Sequence, residues 1–234
     1  MSRTVGVIGG MGPAATALFF RELVAATPAR RDQDHLRVLI DSNPAVPDRV
    51  EAILHGGPSP APVLAEMARG LEAQGAELLV MPCNTAHAWE DDVRGAVRIP
   101  FISIVTATVD AAQASQPPAL RIGVLATTGC LRAGLYQAAC GARGLEAVVL
   151  PPDRLPGFMS AIATAKGPGV TEAAVAQVRS DVDALADAGA DLVLAACTEV
   201  PWLLDGVDTP VPVISSSAAL ARATVRLALS EPVA

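Results

Sequence analysis

Two cysteines, Cys83 and Cys197, each follow a run of apolar residues and precede polar ones. The segments that carry them, Gly75-Ala-Glu-Leu-Leu-Val-Met-Pro-Cys83 and Gly189-Ala-Asp-Leu-Val-Leu-Ala-Ala-Cys197, resemble copies at an offset of 197 − 83 = 114 residues. A buried parallel strand delivers the residues that follow it to the carboxyl edge of its sheet. If the copies face each other across a pseudo-two-fold axis, the two thiols flank one cleft. A proton can then leave one face of a carbon and return to the other.

The duplication extends beyond the cysteines. Val5-Gly-Val-Ile-Gly-Gly-Met-Gly12 aligns with Ile122-Gly-Val-Leu-Ala-Thr-Thr-Gly129 at an offset of 122 − 5 = 117. Pro100-Phe-Ile-Ser103 matches Pro212-Val-Ile-Ser215 at an offset of 212 − 100 = 112. Matched blocks in one order indicate a duplicated domain, and this period is too long for a solenoid repeat. We expect an N-terminal lobe over residues 1–104, a C-terminal lobe over 105–213, and a final helix over 214–234 that packs back on the first lobe.

The alternation of apolar runs and helical segments predicts an α/β fold, in which each pseudo-symmetric lobe is a parallel sheet flanked by helices. Such sheets bind ligands at the carboxyl ends of their strands, so the site is expected in the cleft between the lobes. The predicted strands are 5–9, 37–41, 77–82, 101–103, 121–126, 145–149, 191–195 and 212–215. The predicted helices are 14–26, 60–74, 86–94, 105–115, 131–142, 172–188 and 217–230. Two segments rich in proline and glycine, 44–62 and 151–169, are predicted to be long loops over the cleft.

Composition narrows the class of protein. The 234 residues are 51% hydrophobic and 18% charged, which suffices for two buried cores. A net charge of −7 argues against a nucleic-acid or anionic-membrane partner, and no apolar run approaches the roughly 20 residues of a membrane span. Four cysteines do not make a disulfide framework here, and no cysteine or histidine spacing indicates a metal site. We therefore expect a cytoplasmic protein with reduced thiols and no bound metal.

Polar residues next to the cysteines suit an anion. Asn84, Thr85 and Thr198 supply an amide and two hydroxyls, and backbone N–H groups at the helix starts add further donors. The turn Gly10-x-Gly12-x-x-Ala15 also fits a permissive dinucleotide fingerprint. That motif expects an acidic residue about 20 positions on, whereas Asp41 lies 41 − 12 = 29 residues past Gly12. We assign the turn, with Met11 and Gly12, to substrate binding, and include Thr128 from the duplicated turn.

Four motifs in this order resemble the cofactor-independent aspartate/glutamate racemase family, in particular its aspartate racemase branch. They are Gly10-Met-Gly-Pro-Ala-Ala-Thr16, Asn43-Pro-Ala-Val-Pro-Asp-Arg49, Pro82-Cys-Asn-Thr-Ala-His87 and Cys197-Thr-Glu199. The resemblance spans the whole chain. It implies a two-lobed α/β enzyme, often a homodimer, in which Cys83 and Cys197 exchange the Cα proton of an acidic amino acid. It further implies that Arg49 and Lys166 hold the side-chain carboxylate of aspartate, or of glutamate as the other candidate substrate.

The chemistry agrees with these residue types. Without a pyridoxal cofactor, a carbanion at Cα must be stabilised by fixed donors around the substrate carboxylate, and one thiol must be a thiolate while the other keeps its proton. Lys166 is the only lysine of the chain and lies in a glycine-rich segment, which fits carboxylate binding better than a Schiff base with a phosphate cradle. We therefore expect no cofactor. Glu199 is expected to polarise Cys197, to anchor the substrate ammonium, or to be a solvated acid that the dipole of the following helix favours.

Other residues receive structural readings. His87, one helical turn past Cys83, is expected to pack or to support that cysteine, and Cys130 and Cys140 are expected to be structural.

The chain departs from the family pattern at two positions. Ala196 stands where the family usually has glycine, and Ser215 where it often has aspartate, so the sequence leaves open whether the substrate is strictly aspartate. The alternatives are another cysteine enzyme of the superfamily, such as a maleate isomerase or an arylmalonate decarboxylase, or a non-catalytic amino-acid-binding protein.

Overall fold

Two four-stranded parallel sheets form the frame of the protein. The computed structural model describes residues 2–167 and 169–230. The first sheet contains β1 (Val5–Gly9), β2 (Val38–Ser42), β3 (Leu78–Val80) and β4 (Phe101–Ile102) in the order β2-β1-β3-β4. The second contains β5 (Arg121–Ala126), β6 (Glu146–Val149), β7 (Leu192–Ala196) and β8 (Val213–Ser215) in the order β6-β5-β7-β8. The predicted α/β class and all eight strands are confirmed, and the two sheets share one topology.

Helices cover both sheets. In chain order they are α1 (Pro13–Ala26), α2 (Arg49–His55), α3 (Ala61–Ala73), α4 (Glu90–Ala96), α5 (Ile104–Gln113), α6 (Thr128–Arg132), α7 (Leu135–Gly141), α8 (Leu155–Lys166), α9 (Glu172–Asp187), α10 (Val200–Leu203) and α11 (Ser216–Leu229). A 3-10 turn over Thr85–Trp89 precedes α4. None of the helices in the described ranges is long and apolar enough to cross a membrane.

Glycines in the two central strands show the duplication in three dimensions. A Cβ on Gly6 of β1 would lie 2.9 Å from the Cβ of Ala76, which is closer than packed side chains approach. In β5, a Cβ on Gly123 would lie 3.2 Å from the Cβ of Ala190. The two alanines are 190 − 76 = 114 residues apart, the same offset as the two cysteines. Both halves therefore use one glycine to let the segment before a central strand pack closely against its neighbour.

A continuous apolar core joins the halves. Its buried residues come from both sheets and from α1, α5, α6, α7 and α11, and they include Phe19, Ile122 and Leu220. Two further clusters lie between the sheets and the helices on their other faces. The C-terminal helix α11 packs against α1 and α5. The last four residues of the predicted helix 214–234, residues 231–234, lie outside the described residues.

Two predicted loops are wrong in part, because each contains a helix. The segment 44–62 holds α2, whose N-terminus is capped by the Asp48 carboxylate and whose C-terminus ends at Gly56 with φ of 68°. The segment 151–169 holds α8, and Lys166 is its last residue rather than a loop residue. Local capping and apolar packing outweigh the proline and glycine content of these segments.

The predicted helix 131–142 is also divided. Gly134 has φ of 68° and separates α6 from α7, because a residue in the left-handed region interrupts the helical hydrogen bonds. The predicted helix 86–94 begins as the 3-10 turn and becomes α-helical only at Glu90. Both α6 and the 3-10 turn begin shortly after the carboxyl ends of their preceding strands, β5 and β3.

Candidate active site

The two duplicated cysteines line one cleft between the sheets. Cys83 follows β3 and is 7% exposed, and Cys197 follows β7 directly and is 5% exposed. The cleft is small: its empty space is about 370 Å³, and part of that is open to solvent. Its lining residues are Met11, Asp48, Arg49, Val50, Cys83, Asn84, Thr85, Thr127, Lys166, Ala196, Cys197, Thr198 and Glu199.

Most of the predicted binding residues lie in this lining, and two do not. Gly12 lies in an adjoining open pocket, which shares Met11, Arg49, Lys166 and Glu199 with the cleft. Thr128 is the first residue of α6, and the residue of that turn that reaches the cleft is its N-cap, Thr127. The alignment of the two glycine turns cannot tell a capping side chain from the residue after it, so Thr127 becomes a candidate beside the predicted Thr128.

The residues after Cys83 are tied to the second half of the chain. The Asn84 amide nitrogen donates to Ser216 Oγ at 3.1 Å, and the Tyr136 hydroxyl donates to Asn84 Oδ1 at 2.5 Å. The hydroxyls of Thr85 and Thr127 lie 2.8 Å apart. All of these groups are buried, so each hydrogen bond has little competition from water. The polar floor of the cleft is consequently held in one arrangement.

An acidic side chain organises the opposite wall. Glu199 is 2% exposed, and its Oε2 accepts from the Cys197 thiol at 3.1 Å and from the Thr198 hydroxyl at 3.2 Å. Its Oε1 lies 3.7 Å from Lys166 Nζ. Burial, and then the negative charge of Glu199, raise the pKa of Cys197 well above its usual value. The structure therefore keeps Cys197 as a thiol that donates to a carboxylate.

Lys166 lies at the mouth of the cleft with its side chain 41% exposed. Burial acts to lower the pKa of its ammonium, but the opposing effect of nearby negative charge, that of Glu199 above all, is larger and the pKa is raised. Lys166 is therefore a permanent cation. Its side chain is partly exposed, and its amine reaches the cleft beside Glu199.

Arg49, the first residue of α2, is the second cation of the cleft. Its Nη1 donates to the carbonyl oxygens of Val46 at 3.2 Å and Pro47 at 3.1 Å, which fixes the guanidinium on its own turn. Within the described residues it pairs with no carboxylate, whereas Lys166 already faces Glu199. A guanidinium that is fixed and has no ion-pair contact is suited to binding an external carboxylate.

His87 supports the first cysteine from below. Ile104 N–H donates to His87 Nε2 at 3.0 Å, so the ring proton must be on Nδ1, which donates to the Cys83 carbonyl oxygen at 2.9 Å. Burial lowers the pKa of His87 to about 4, and the ring is neutral at physiological pH. The expectation that His87 packs beneath Cys83 agrees with this geometry.

We expect the His87 contact to make stability pH-dependent. The unfolded ring titrates near 6.5 and the folded ring near 4, so the unfolded chain alone gains a proton between these values. The free energy of unfolding should therefore fall by about 3 kcal/mol as the pH is lowered from 6.5 towards 4. Urea unfolding of the wild type and of His87→Gln over this range measures the difference. His55→Gln is the matched control, because His55 is exposed and its replacement should keep the wild-type dependence of stability on pH. The same wild-type dependence in His87→Gln would contradict the assignment.

The other two cysteines are buried away from the cleft lining. Cys130 lies in α6, and burial raises the pKa of its thiol to about 12. Cys140 lies in α7, and burial raises its pKa as well. Both remain protonated and act as small apolar residues, in agreement with the structural reading. In the part of the chain that the structure describes, no group of three or more potential ligands is arranged to hold a metal ion.

The sequence of the chain matches a known protein family. The model of the family described as Asp/Glu/Hydantoin racemase matches residues 8–224. The chain belongs to this family. The match begins near the end of β1 and ends within α11, and it includes both cysteines of the cleft.

Individual relatives agree with that membership. The broad specificity amino-acid racemase RacX of Bacillus subtilis is 28% identical over 225 residues, which are 94% of this chain and 96% of the relative. The structure of Picrophilus torridus aspartate racemase matches with a TM-score of 0.83 and 28% identity, covering 97% of this chain and 94% of that one. A glutamate racemase from Francisella tularensis, solved in complex with D-glutamate, shares the fold with a TM-score of 0.72 at 19% identity.

Sequence reasoning missed several residues of the site. Asp48, Val50 and Thr127 line the cleft, and Ser216 and Tyr136 hold Asn84. One signal was present for Tyr136, which is the only tyrosine of the chain and aligns with Phe19 in the duplicated half. For Ser216 there was none, because nothing in the sequence links it to a residue 216 − 84 = 132 positions away.

Proposed function

We propose that this protein racemises an acidic amino acid without a cofactor, with aspartate as the first candidate substrate and glutamate as the second. Cys83 and Cys197 act as the two acid/base residues. The observation that carries the proposal is the position of two equivalent strand-end cysteines on one small cleft. Membership of the racemase family and the likeness to an aspartate racemase support it.

The proton balance is simple in this scheme. A thiolate on one cysteine removes the Cα proton, and the thiol of the other delivers its own proton to the opposite face of the carbon. The first cysteine then holds the proton and the second is the thiolate, ready for the reverse reaction. Cys197 rests as the protonated partner, because burial and Glu199 disfavour its thiolate. When Cys197 acts as the base, Lys166 offsets the additional negative charge beside Glu199.

The charge of the cleft supports an acidic substrate. The guanidinium of Arg49 and the ammonium of Lys166 face a cleft whose carboxylates already have partners. Glu199 accepts from the Cys197 thiol and faces Lys166, and Asp48 accepts from the first backbone N–H groups of α2. We assign the distal carboxylate to these two cations. The α-carboxylate takes the donors that follow the cysteines, Asn84, Thr85 and Thr198. A carboxylate so held accommodates the charge that develops when Cα loses its proton.

The assay that tests this function is chiral chromatography after incubation with single enantiomers. The enzyme is first dialysed against a chelator and hydroxylamine, which remove metal ions and any pyridoxal cofactor. We expect D-aspartate from L-aspartate and the reverse, with glutamate turned over more slowly. Turnover of a maleate or an arylmalonate without racemisation would favour another enzyme of the superfamily, and saturable binding without turnover would favour a binding protein.

We further propose that the enzyme acts in the cytoplasm as a homodimer, as the family resemblance implies. Light scattering coupled to size-exclusion chromatography should give a mass near twice the 23.9 kDa of one chain. A mass of 23.9 kDa over the working concentration range would show a monomer.

A further inference from the structure

The single tyrosine of the chain donates a hydrogen bond to a residue of the cleft. Tyr136 is wholly buried on α7, and its hydroxyl lies 2.5 Å from Asn84 Oδ1 and 3.5 Å from Thr108 Oγ1. The Thr108 hydroxyl already donates to the Ile104 carbonyl at 2.6 Å. Burial raises the pKa of Tyr136 far above its usual value, so the phenol stays protonated. The short bond is therefore a donation from Tyr136 to the Asn84 carbonyl oxygen.

The duplicated half shows that the core does not need this hydroxyl. Leu18-Phe19 aligns with Leu135-Tyr136 at an offset of 136 − 19 = 117, and both rings are wholly buried. Phenylalanine fills the first position with no polar group. A buried hydroxyl carries a desolvation cost that phenylalanine avoids, and only a specific partner offsets that cost. At Tyr136 the partner is a side chain of the cleft.

The Asn84 carboxamide is fixed at both ends. Tyr136 donates to its oxygen, and its nitrogen donates one hydrogen to Ser216 Oγ at 3.1 Å. Asn84 is 3% exposed and lines the cleft, so the second amide hydrogen is the group available to a ligand there. The carbonyl oxygen is occupied by the phenol. Rotation of the amide by half a turn would exchange these positions and present an oxygen lone pair to a carboxylate.

We infer that Tyr136 is a positioning residue for the proposed racemisation, which keeps the Asn84 amide N–H, and not its carbonyl, directed at the substrate carboxylate. The inference rests on the proposed function. Charge on that carboxylate grows as Cα loses its proton, so an N–H held in place stabilises the transition state more than the bound substrate. Loss of the hydroxyl should therefore lower kcat more than it changes KM.

Tyr136→Phe is the direct test, because it deletes only the hydroxyl and restores the residue of the duplicated half. We expect kcat per folded enzyme to fall about 10- to 100-fold, less than the loss of about 100- to 1,000-fold typical of deleting an anion donor. KM should stay within about three-fold of the wild type, since ground-state binding changes little. Thr224→Val is the matched control: it removes another wholly buried hydroxyl, one that bonds within α11, and should keep the wild-type kcat.

A double-mutant cycle separates positioning from a merely structural role. In an Asn84→Ala background, Tyr136→Phe should change kcat by less than about two-fold, because the amide through which it acts is gone. A full loss in both backgrounds, or a wild-type kcat in Tyr136→Phe alone, would overturn the inference while leaving the racemase intact. If Tyr136→Phe does not fold, Ser216→Ala is the second variant. It should lower kcat to the same extent and should have no further effect in the Asn84→Ala background. A wild-type kcat in Ser216→Ala would overturn the inference. A wild type without turnover would overturn both the proposed function and this inference.

Discussion

Replacement of either Cys83 or Cys197 by serine is expected to abolish measurable racemisation, a loss of about four orders of magnitude, while the fold stays intact. A serine hydroxyl is far too weakly acidic to form the required base near neutral pH, and general acid–base catalysis contributes about 10²- to 10⁴-fold for each group. The two losses should be similar, because inversion needs both cysteines in every turnover. Each variant should still exchange the Cα proton of at most one enantiomer.

The matched control is Cys140→Ala, which removes a buried thiol of α7 outside the cleft lining. It should retain a kcat close to the wild type, and circular dichroism should show the same fold for all three variants. Chiral chromatography at equal concentrations of folded enzyme gives the rates. Near-normal racemisation by either Cys83→Ser or Cys197→Ser would rule out the two-base assignment.

The second large effect concerns recognition of the distal carboxylate. Arg49→Ala or Lys166→Ala is expected to lower kcat/KM for aspartate and glutamate by about two to four orders of magnitude. A hydrogen bond to a charged group contributes about 1.5–3 kcal/mol, and misplacement of Cα adds to the loss. Arg49→Ala is the cleaner variant, because Lys166→Ala also leaves Glu199 without its cation. Lys166→Arg should be impaired as well, since a planar fork does not replace a compact ammonium.

The loss of kcat/KM in these variants should depend on the substrate. A neutral amino acid such as alanine, turned over poorly by the wild type, should be affected little, because it presents no distal carboxylate. Arg69→Ala, which removes an exposed arginine of α3, controls for a general change of surface charge. Steady-state rates with acidic and neutral substrates measure the effect. Wild-type turnover of aspartate and glutamate by both alanine variants would place carboxylate recognition elsewhere, with the Met11 turn and Thr127 as the next candidates.

Much of the fold was readable from the sequence because it is repeated. Each apolar run that ends in a polar turn has a partner in the other half, and a pattern seen twice is far less ambiguous than one seen once. The sequence analysis did not predict the helices α2 and α8, because proline and glycine in a segment usually indicate a turn. The capping side chain of Asp48 and the left-handed Gly56 were better guides to α2. For α8, the proline in its first turn carried a similar signal.

Some residues of the candidate site could likewise be predicted from the sequence, and others could not. Cys83, Asn84, Cys197 and Glu199 stand at strand ends, where local pattern alone predicts an edge of the sheet. Contacts between distant parts of the chain have no local signature, and Asn84 with Ser216 is one such pair. The ion pair between Lys166 and Glu199 is another, since it depends on where α8 ends relative to β7. Such pairings emerge only from the packed structure.

Hydrogen exchange at Cα tests the central claim most directly. Each enantiomer of aspartate and of glutamate is incubated with the purified protein in D₂O, with no cofactor added, while NMR follows the Cα proton and polarimetry follows optical rotation. With two bases on opposite faces, the product enantiomer should carry solvent deuterium from its first appearance, while the remaining substrate still carries protium. Optical rotation should disappear along with the Cα proton signal. Binding without exchange, or exchange with retention of configuration, would contradict racemisation by two cysteines.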